Sequence, residues 1–298
     1  MNWEKYISGR EGVPPLARDC VHVWRISTAG NIHLEWLAEA LSAEERARAK
    51  RFHFERDRRS FIACRGTLRR LISSYTGQKP ASIRFRVGMQ GKPFLADARG
   101  GNLQFNVSHS GGLALLAFSM DREIGVDVEF KRVDVDFAEL AQMSLSKEER
   151  DAVLACPPAD CVNLFYEYWS CKEACIKADG RGLSVPLDQF RVTAKAGDPQ
   201  WREIISEASS SLPSGMRCRI LDVGSAYAAA VATNAPSWQA IQFNMDLALE
   251  EAESDPIAKC RLRHRLHDSN FFRVTLGTSL LADSPLPRPA PVSERGEP

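Results

Sequence analysis

Four stretches of the chain have the apolar pattern of β-strands. Apolar residues alternate with small or acidic ones over Ile124–Phe130, and a continuous apolar run fills Leu113–Phe118. Alternation indicates a strand because successive side chains point to opposite faces of a sheet. Further along, Arg217–Val223 and Tyr227–Thr233 flank a turn at Gly224 and predict a closing hairpin.

A capping-box pattern occurs once in each half of the chain. Leu41–Arg46 reads LSAEER, and Leu145–Arg150 reads LSKEER 104 residues later. In both segments a glutamate follows a serine by three residues, which is the pattern that caps the start of a helix. Each box precedes a second helical stretch, at about 58–74 and at about 162–178. The pattern therefore predicts the same pair of helices in both halves.

A second pair of matching segments supports an internal repeat rather than a chance coincidence of two capping boxes. Ile83–Val87 is followed 105 residues later by the similar Asp188–Val192. We therefore expect an α+β fold of two similar halves related by a pseudo-twofold axis, with a cleft between them. The predicted units are residues 1–119, residues 120–240 and an extension at 241–298, whose proline-rich last ~22 residues are expected to be disordered.

Composition and charge narrow the class of protein. The formal net charge of +1 gives the whole chain no attraction to nucleic acid or to a membrane. The N-terminal residues lack a signal-peptide pattern, and the apolar runs are too short to span a bilayer. The eight cysteines include no CxxC pair and no zinc pattern, so reduced thiols are expected. We interpret the chain as cytoplasmic.

Two acidic residues share one face of the strand Ile124–Phe130. The apolar residues of this strand are expected to face the core, so Asp127 and Glu129 project together, about 6–7 Å apart. Two carboxylates at that distance repel each other unless a cation lies between them, and oxygen ligands suit Mg²⁺. The alternative is an ordinary half-exposed strand with acidic residues on its solvent-facing side.

A third carboxylate lies on the second long helix. Trp169, Glu173 and Lys177 are spaced i, i+4, i+8 and share one helix face. The helix is rich in aromatic residues and cysteines and is expected to be buried, so Glu173 and Lys177 need partners. A metal shared with Asp127 and Glu129 is one such partner, and a surface ion pair between Glu173 and Lys177 is the alternative.

Two further features suit a phosphorylated ligand. The segment Asn106–Gly112 is rich in serine and glycine and includes Ser108 and His109, which as strand neighbours face opposite ways and cannot form a nucleophile–base dyad. Backbone N–H groups in such a loop can bind phosphate oxygens. Residues 44–70 contain ten Lys or Arg residues and only four acidic ones. This stretch is either a solvent-exposed helix face or a binding site for a polyanion. Lys92 adds a further cation on a turn.

In order and spacing, Asn106–Ser110, Gly125–Glu129 and Trp169–Lys177 together resemble the 4′-phosphopantetheinyl transferases. The likeness is to the larger, pseudodimeric type that activates nonribosomal peptide and polyketide synthases. It extends to Gly182–Leu187 and covers about residues 20–235. The resemblance implies two α+β halves with coenzyme A between them, and a reaction that moves phosphopantetheine onto a carrier-protein serine.

The resemblance also implies residue roles. The implied Mg²⁺ ligands are Asp127, Glu129 and Glu173. The implied catalytic residues are Glu173, which we expect to act as the base, and Lys177, which contacts the transferred phosphate. The implied coenzyme A-binding residues are Arg48, Arg51, Lys92, Ser108, His109 and Lys177. One departure is Glu45, which stands where some relatives have a lysine near the nucleotide.

The expected partners are coenzyme A and an acyl or peptidyl carrier protein, with no nucleic acid and no membrane, and the pseudodimeric type implies a monomer. Two alternatives remain open from the residues. A magnesium-dependent phosphohydrolase or nuclease could use the same acids to activate water. A nucleic-acid-binding protein could use the basic stretch at 44–70, although that leaves the acidic strand without a role.

Overall fold

A computed structural model describes residues 13–30, 32–97, 101–195, 197–206, 212, 215–245 and 262–263 of the chain. The tail at 277–298, predicted to be disordered, lies outside the described residues. Among the helices of the described part, none is long and apolar enough to cross a membrane.

The first half begins with a strand, continues through three helices and ends with an antiparallel pair of strands. Its elements are β1 (Cys20–Ser27), α1 (Leu34–Glu39), α2 (Ala43–Ala49), α3 (Glu55–Thr76), β2 (Phe85–Val87), β3 (Pro93–Leu95), β4 (Leu103–Ser108) and β5 (Leu113–Met120).

The second half follows the same plan. Its elements are β6 (Ile124–Phe130), α4 (Phe137–Ser144), α5 (Lys147–Ala155), α6 (Pro158–Asp179), β7 (Phe190–Lys195), β8 (Asp198–Ser206), β9 (Arg217–Ile220) and β10 (Tyr227–Thr233). Two more strands, β11 (Gln239–Met245) and β12 (Leu262–Arg263), follow it.

The two halves repeat one order of strands. In the first sheet β5 lies between β1 and β4, and in the second sheet β10 lies between β6 and β9, all in antiparallel pairs. The second sheet continues through β8 to β7, whereas β2 and β3 form a separate two-stranded ribbon. This repeat confirms the predicted α+β fold of two similar halves. The pairing of β9 with β10 confirms the predicted hairpin.

The chain returns to the first sheet after completing the second. Strand β11 pairs with β1 in parallel, with Gln239 opposite Cys20 and Met245 opposite Ile26. Strand β12 then pairs with β11 in the antiparallel direction. The predicted boundary at residue 240 therefore falls inside a strand, and residues 241–245 complete the sheet of the first half.

The long helices α3 and α6 are the clearest sign of the repeat. Both have 22 residues, and both end at a glycine with a left-handed backbone, Gly77 at φ 69° and Gly180 at φ 83°. Glycine suits these positions because a residue with a Cβ rarely adopts that conformation. Helices α2 and α5 begin at the predicted capping boxes, with Ser42 and Ser146 accepting the amide of the glutamate three residues on.

Helix α6 packs unusually close to strand β6. A Cβ added to Gly125 would lie 2.0 Å from the carbonyl oxygen of Ala174 and 2.3 Å from the amide nitrogen of Ala178. Only a glycine leaves room for the helix backbone at this distance. The close approach brings Glu173 and Lys177 over the strand that carries Asp127.

We predict that Gly125→Ala destabilises the protein by at least about 2 kcal/mol, because the new methyl group meets backbone atoms that cannot move aside. The free energy of unfolding from urea titration measures the effect. Gly88→Ala is the matched control, since a Cβ there makes an ordinary 3.5 Å contact. Equal stability of the two variants would contradict the close packing.

Candidate active site

The two halves meet where strand β4 and the loop after it run beside strand β6. Three polar side chains at alternate positions of the first half bind the second half. Asn106 Oδ1 accepts the Val126 amide at 2.9 Å, Ser108 Oγ donates to Asp127 Oδ1 at 3.0 Å, and Ser110 Oγ donates to Glu129 Oε2 at 3.2 Å. The acids of β6 are thus oriented by hydroxyl groups from the other half.

Lys177 joins this seam from helix α6. Its Nζ lies 2.5 Å from Asp127 Oδ1, 3.3 Å from Ser108 Oγ and 4.0 Å from Glu173 Oε2. Asp127 and Ser108 are fully buried, whereas Glu173 and Lys177 keep about a sixth of their side-chain surface exposed. The strand acids and the helix residues predicted to form one site are therefore brought together.

The charges of this cluster are poorly compensated. Burial, followed by the charge of Asp127, raises the pKa of Glu129 to about 8. Burial also raises the pKa of Glu173 to about 7, with Lys177 opposing the shift. Burial alone would lower the pKa of Lys177, but Asp127 and Glu173 outweigh it and raise that pKa. One ammonium group thus faces three carboxyl groups, an imbalance that a further cation would correct.

The donor set fits a divalent cation. Asp127 Oδ2 is buried with no hydrogen-bond partner, while Glu129 and Glu173 offer further carboxylate oxygens at the same seam. Oxygen ligands of this kind suit Mg²⁺. Within the described ranges no three His, Cys, Asp or Glu side chains lie in an arrangement that could hold a metal ion as they stand. Lys177 instead holds Asp127, so binding a metal requires these side chains to turn toward it.

His109 lies beside the cluster with an unused nitrogen. Burial, followed by the charge of Lys177, lowers the pKa of its imidazole to about 4, and Asp57 opposes this shift. The ring is therefore neutral at pH 7. Its Nε2 is buried with no partner in the structure, which leaves it available to a ligand. Gly111 follows in a left-handed backbone (φ 57°), and Tyr227 donates a 3.0 Å hydrogen bond to its carbonyl oxygen.

Lys92 occupies a different part of the boundary between the halves. Its Nζ lies 2.5 Å from Glu123 Oε2 and donates to the Ala178 carbonyl at 3.0 Å, near the end of α6. A cavity of about 500 Å³ opens beside it and is also lined by Asp179 and Gly180. Lys92 thus contacts the backbone of α6 at the residue after Lys177, and its ammonium group is paired with Glu123.

Arg48 and Arg51 lie at the end of α2. The guanidinium of Arg48 stacks over the Phe61 ring at 5.1 Å, and Arg51 is exposed. No described contact joins either residue to the acid cluster. Their predicted role in binding coenzyme A stays a prediction.

The basic stretch at 44–70 is not one exposed face. Arg65 and Arg69 turn inward to Glu45, at 3.1 Å and 2.5 Å, and Arg70 stacks over the Trp36 ring at 3.4 Å. The count of ten cations in this stretch therefore overestimated the number that are free to bind a polyanion, because these three arginines are engaged inside the first half. The same contacts explain why position 45 carries an acid, since Glu45 caps α2 and binds two arginines.

Sequence reasoning missed several residues that shape this site. Asn106 and Ser110 lie two residues before and after Ser108. That spacing could have shown that all three side chains face the same neighbouring strand. The tight packing at Gly125 had no signal in the sequence, because it depends on Ala174, a helix residue that lies 49 positions later along the chain. Tyr227 lies still farther away in sequence and could be placed only by the fold.

Comparisons with known proteins agree with this arrangement. Residues 123–232 match the model of the 4′-phosphopantetheinyl transferase superfamily, and residues 24–121 match the model described as 4′-phosphopantetheinyl transferase, N-terminal. The junction between the two matches falls in the turn between β5 and β6.

Several relatives are named phosphopantetheinyl transferases. The chain is 38% identical over 187 residues to 4′-phosphopantetheinyl transferase HetI of Nostoc, covering 62% of this chain and 78% of that protein. It is 35% identical over 152 residues to 4′-phosphopantetheinyl transferase Sfp of Bacillus subtilis, covering 51% and 66%. It is 30% identical over 174 residues to the L-aminoadipate-semialdehyde dehydrogenase-phosphopantetheinyl transferase of Xenopus laevis, covering 52% and 55%.

The chain belongs to the 4′-phosphopantetheinyl transferase superfamily. It is a transferase of the holo-carrier-protein synthase type, which moves the phosphopantetheine group of coenzyme A onto a serine of a carrier protein. Neither family model and none of these three relatives supports a phosphohydrolase or a nucleic-acid-binding protein.

We predict that Asp127→Asn weakens binding of Mn²⁺, used as a probe for Mg²⁺, by more than about tenfold, because the amide cannot supply the buried anionic oxygen. Electron paramagnetic resonance of free Mn²⁺ measures the affinity without any substrate. Asp134→Asn is the control, since that exposed acid pairs with Arg132 away from the seam. Unchanged Mn²⁺ affinity in Asp127→Asn would contradict the assignment of this ligand.

Proposed function

We propose that the chain is a Mg²⁺-dependent enzyme that modifies peptidyl or polyketide carrier domains at the seam between its halves. The observation that carries this proposal is the meeting of Asp127, Glu173 and Lys177 at one point, with Glu129 on the same strand. Acidic residues from a strand and a helix meet here, and one buried carboxylate oxygen has no hydrogen-bond partner. This arrangement fits metal-assisted phosphoryl transfer better than it fits the solvent-exposed face of an ordinary strand.

The proposed Mg²⁺ ligands are Asp127, Glu129 and Glu173. When bound, the ion would neutralise the pyrophosphate of coenzyme A and help to orient the phosphorus that is attacked. Ser108 and Ser110 hold two of these carboxylates from the opposite half. The ligand set therefore depends on the two halves staying together.

The proposed chemical step is an in-line displacement at phosphorus. The carrier's serine hydroxyl attacks the phosphorus atom that bears the pantetheine arm, forming a new O–P bond, while the bond to 3′,5′-ADP breaks. Glu173 takes the proton of that hydroxyl as the general base. Its partial exposure and its place on the face of α6 that meets the seam support this role. Lys177 stabilises the charge that develops on the phosphoryl oxygens.

The proposed coenzyme A-binding residues are Ser108, His109, Lys92, Arg48, Arg51 and Lys177. The unused Nε2 of His109 and its neutral ring support a hydrogen bond to the ligand. Lys92 borders a cavity of about 500 Å³, which supports a place for a non-reacting part of coenzyme A. The hydroxyl of Ser108 is already used by Asp127 and Lys177, so any contact with phosphate would involve its backbone.

We further propose that the chain acts as a monomer, since its two halves already supply both sides of the seam. The thiols of Cys20, Cys64, Cys156, Cys171, Cys175 and Cys218 are free, which supports a reducing compartment, and we propose the cytoplasm. The inward-facing arginines of the 44–70 stretch support the absence of nucleic-acid binding.

Incubation with coenzyme A, Mg²⁺ and an apo carrier domain tests the proposal. The mass of the carrier should rise by one phosphopantetheine group, and Glu173→Gln should lower kcat by at least about a hundredfold because the amide cannot accept the proton. Glu139→Gln, at an exposed position of α4, serves as the control. A wild-type rate in Glu173→Gln would exclude it as the base.

Lys92→Ala should raise the KM for coenzyme A by about tenfold and leave kcat nearly unchanged, because Lys92 touches a part of the ligand that does not react. Steady-state kinetics at varied coenzyme A concentration separates the two constants. Glu123→Gln is the paired variant, because it frees Lys92 from its ion pair and should not raise the KM. A loss confined to kcat in Lys92→Ala would contradict this placement.

A further inference from the structure

A buried ion pair joins three segments of the second half. Lys172 is fully buried on α6, and its Nζ lies 2.7 Å from Glu149 Oε2 on α5. The same ammonium donates to the carbonyl oxygens of Leu187 at 2.6 Å and Phe190 at 2.5 Å. Because three acceptors from two other segments surround it, this lysine cannot move without breaking several contacts.

Glu149 is held equally firmly. Its Oε1 accepts the Val192 amide at 2.7 Å, and its Oε2 accepts the Ser146 amide at 2.8 Å, which closes the capping box of α5. The pair therefore ties the start of α5 and the first residues of β7 to the middle of α6. Every polar atom involved has a partner, so the pair forms a rigid anchor rather than an adjustable surface contact.

The anchor acts on the helix that carries the site. Lys172 directly precedes Glu173 and lies five residues before Lys177, so rotation or sliding of α6 displaces all three together. The glycine at position 125 allows α6 to approach β6 closely. The buried ammonium adds contacts to α5 and to residues 187–190, and a rotation of α6 would break them.

The first half contains the same device without the site. Glu45 closes the capping box of α2 and lies 2.5 Å from Arg69, whose guanidinium donates to the carbonyl oxygens of Pro80 and Ile83. There the residue after the buried cation is Arg70, which stacks over Trp36. The second half therefore has a buried ion pair on the helix that carries Glu173, whereas the corresponding ion pair of the first half lies on a helix without site residues.

We propose that Glu149 and Lys172 are positioning residues, which hold α6 in the rotation that presents Glu173 and Lys177 to Asp127. The inference rests on the proposed function of the seam and adds two residues to it that touch neither the metal nor the substrates. An anchor that served folding alone would contribute to stability in the same way as its counterpart at Glu45 and Arg69.

The double variant Glu149→Leu/Lys172→Met separates these roles. Removing both charges leaves no orphan ion, and apolar replacements of buried pairs commonly preserve folding, whereas removal of one partner does not. The matched control is Glu45→Leu/Arg65→Met/Arg69→Met, which removes the corresponding pair of the first half together with Arg65, the other cation that contacts Glu45. If either variant fails to accumulate as folded protein, Glu149→Gln/Lys172→Met and Glu45→Gln/Arg65→Met/Arg69→Met, which also leave no unpaired charge and keep a polar side chain at the capping box, replace them.

Three quantities are measured for each variant: the melting temperature, the affinity for Mn²⁺ without substrates, and kcat with the KM for coenzyme A. We expect the second-half variant and the first-half variant to have similar melting temperatures. The second-half variant should bind Mn²⁺ at least about tenfold more weakly and lose at least about tenfold in kcat, with the KM for coenzyme A changed less than about threefold. The first-half variant should keep both Mn²⁺ affinity and kcat within about threefold.

Equal effects of the two variants on Mn²⁺ affinity, or effects that follow the melting temperature alone, would overturn the inference. The Mn²⁺ measurement needs neither coenzyme A nor carrier. A wild-type protein that binds Mn²⁺ but transfers nothing would therefore refute the proposed function while still testing the positioning role.

Discussion

The structure depends on accommodating three carboxyl groups and one ammonium group at the seam between two halves. Asp127 is fully buried, and two further acids lie on β6 and α6 beside it. Such a cluster opposes folding unless its charges are compensated, because buried anions repel one another and lose their hydration. Lys177 supplies part of that compensation through its 2.5 Å contact with Asp127. The imbalance that remains is what makes the seam suited to a divalent cation and a phosphorylated substrate.

The rest of the fold can be understood as holding this seam together. Strand β6 begins the second half but is bound along its edge by side chains of β4 and its following loop from the first half, through Asn106, Ser108 and Ser110. Helix α6 reaches the same strand only because position 125 has no side chain. The repeat provides two similar halves, yet only one carries the acids. Helices α3 and α6 end at Gly77 and Gly180, which are 103 residues apart. At the same offset, Trp24 in the first half corresponds to Asp127 in the second. The indole of Trp24 donates a hydrogen bond to the hydroxyl of Tyr75.

Local patterns predicted much of the fold. The strand Ile124–Phe130 has the bounds expected from its alternation, and both capping boxes form with the expected partners. The strands and capping boxes depend on residues close in sequence, where periodicity and capping chemistry are informative. Periodicity also placed Asp127, Glu173 and Lys177 each on a defined face of its strand or helix, but it left other roles for them open. That these three residues share one site was implied by the resemblance to the 4′-phosphopantetheinyl transferases.

Other features depend on contacts that no local pattern records. The parallel pairing of β11 with β1 joins residues more than 200 positions apart, and the chain after residue 240 had no visible counterpart. Arg69 and Lys172 are buried although they are charged, because each finds a glutamate and two carbonyl oxygens contributed by other segments. Charge counted along a chain therefore predicts binding poorly until the fold shows which cations face solvent.

The most direct measurement of the central claim is a crystal structure with coenzyme A and Mn²⁺, in which the anomalous signal locates the manganese. The account predicts one strong peak at the seam, with oxygen atoms of Asp127, Glu129 and Glu173 and of the pyrophosphate within coordination distance. A peak that lacks Asp127 and Glu173, or a pyrophosphate bound away from the seam, would contradict it.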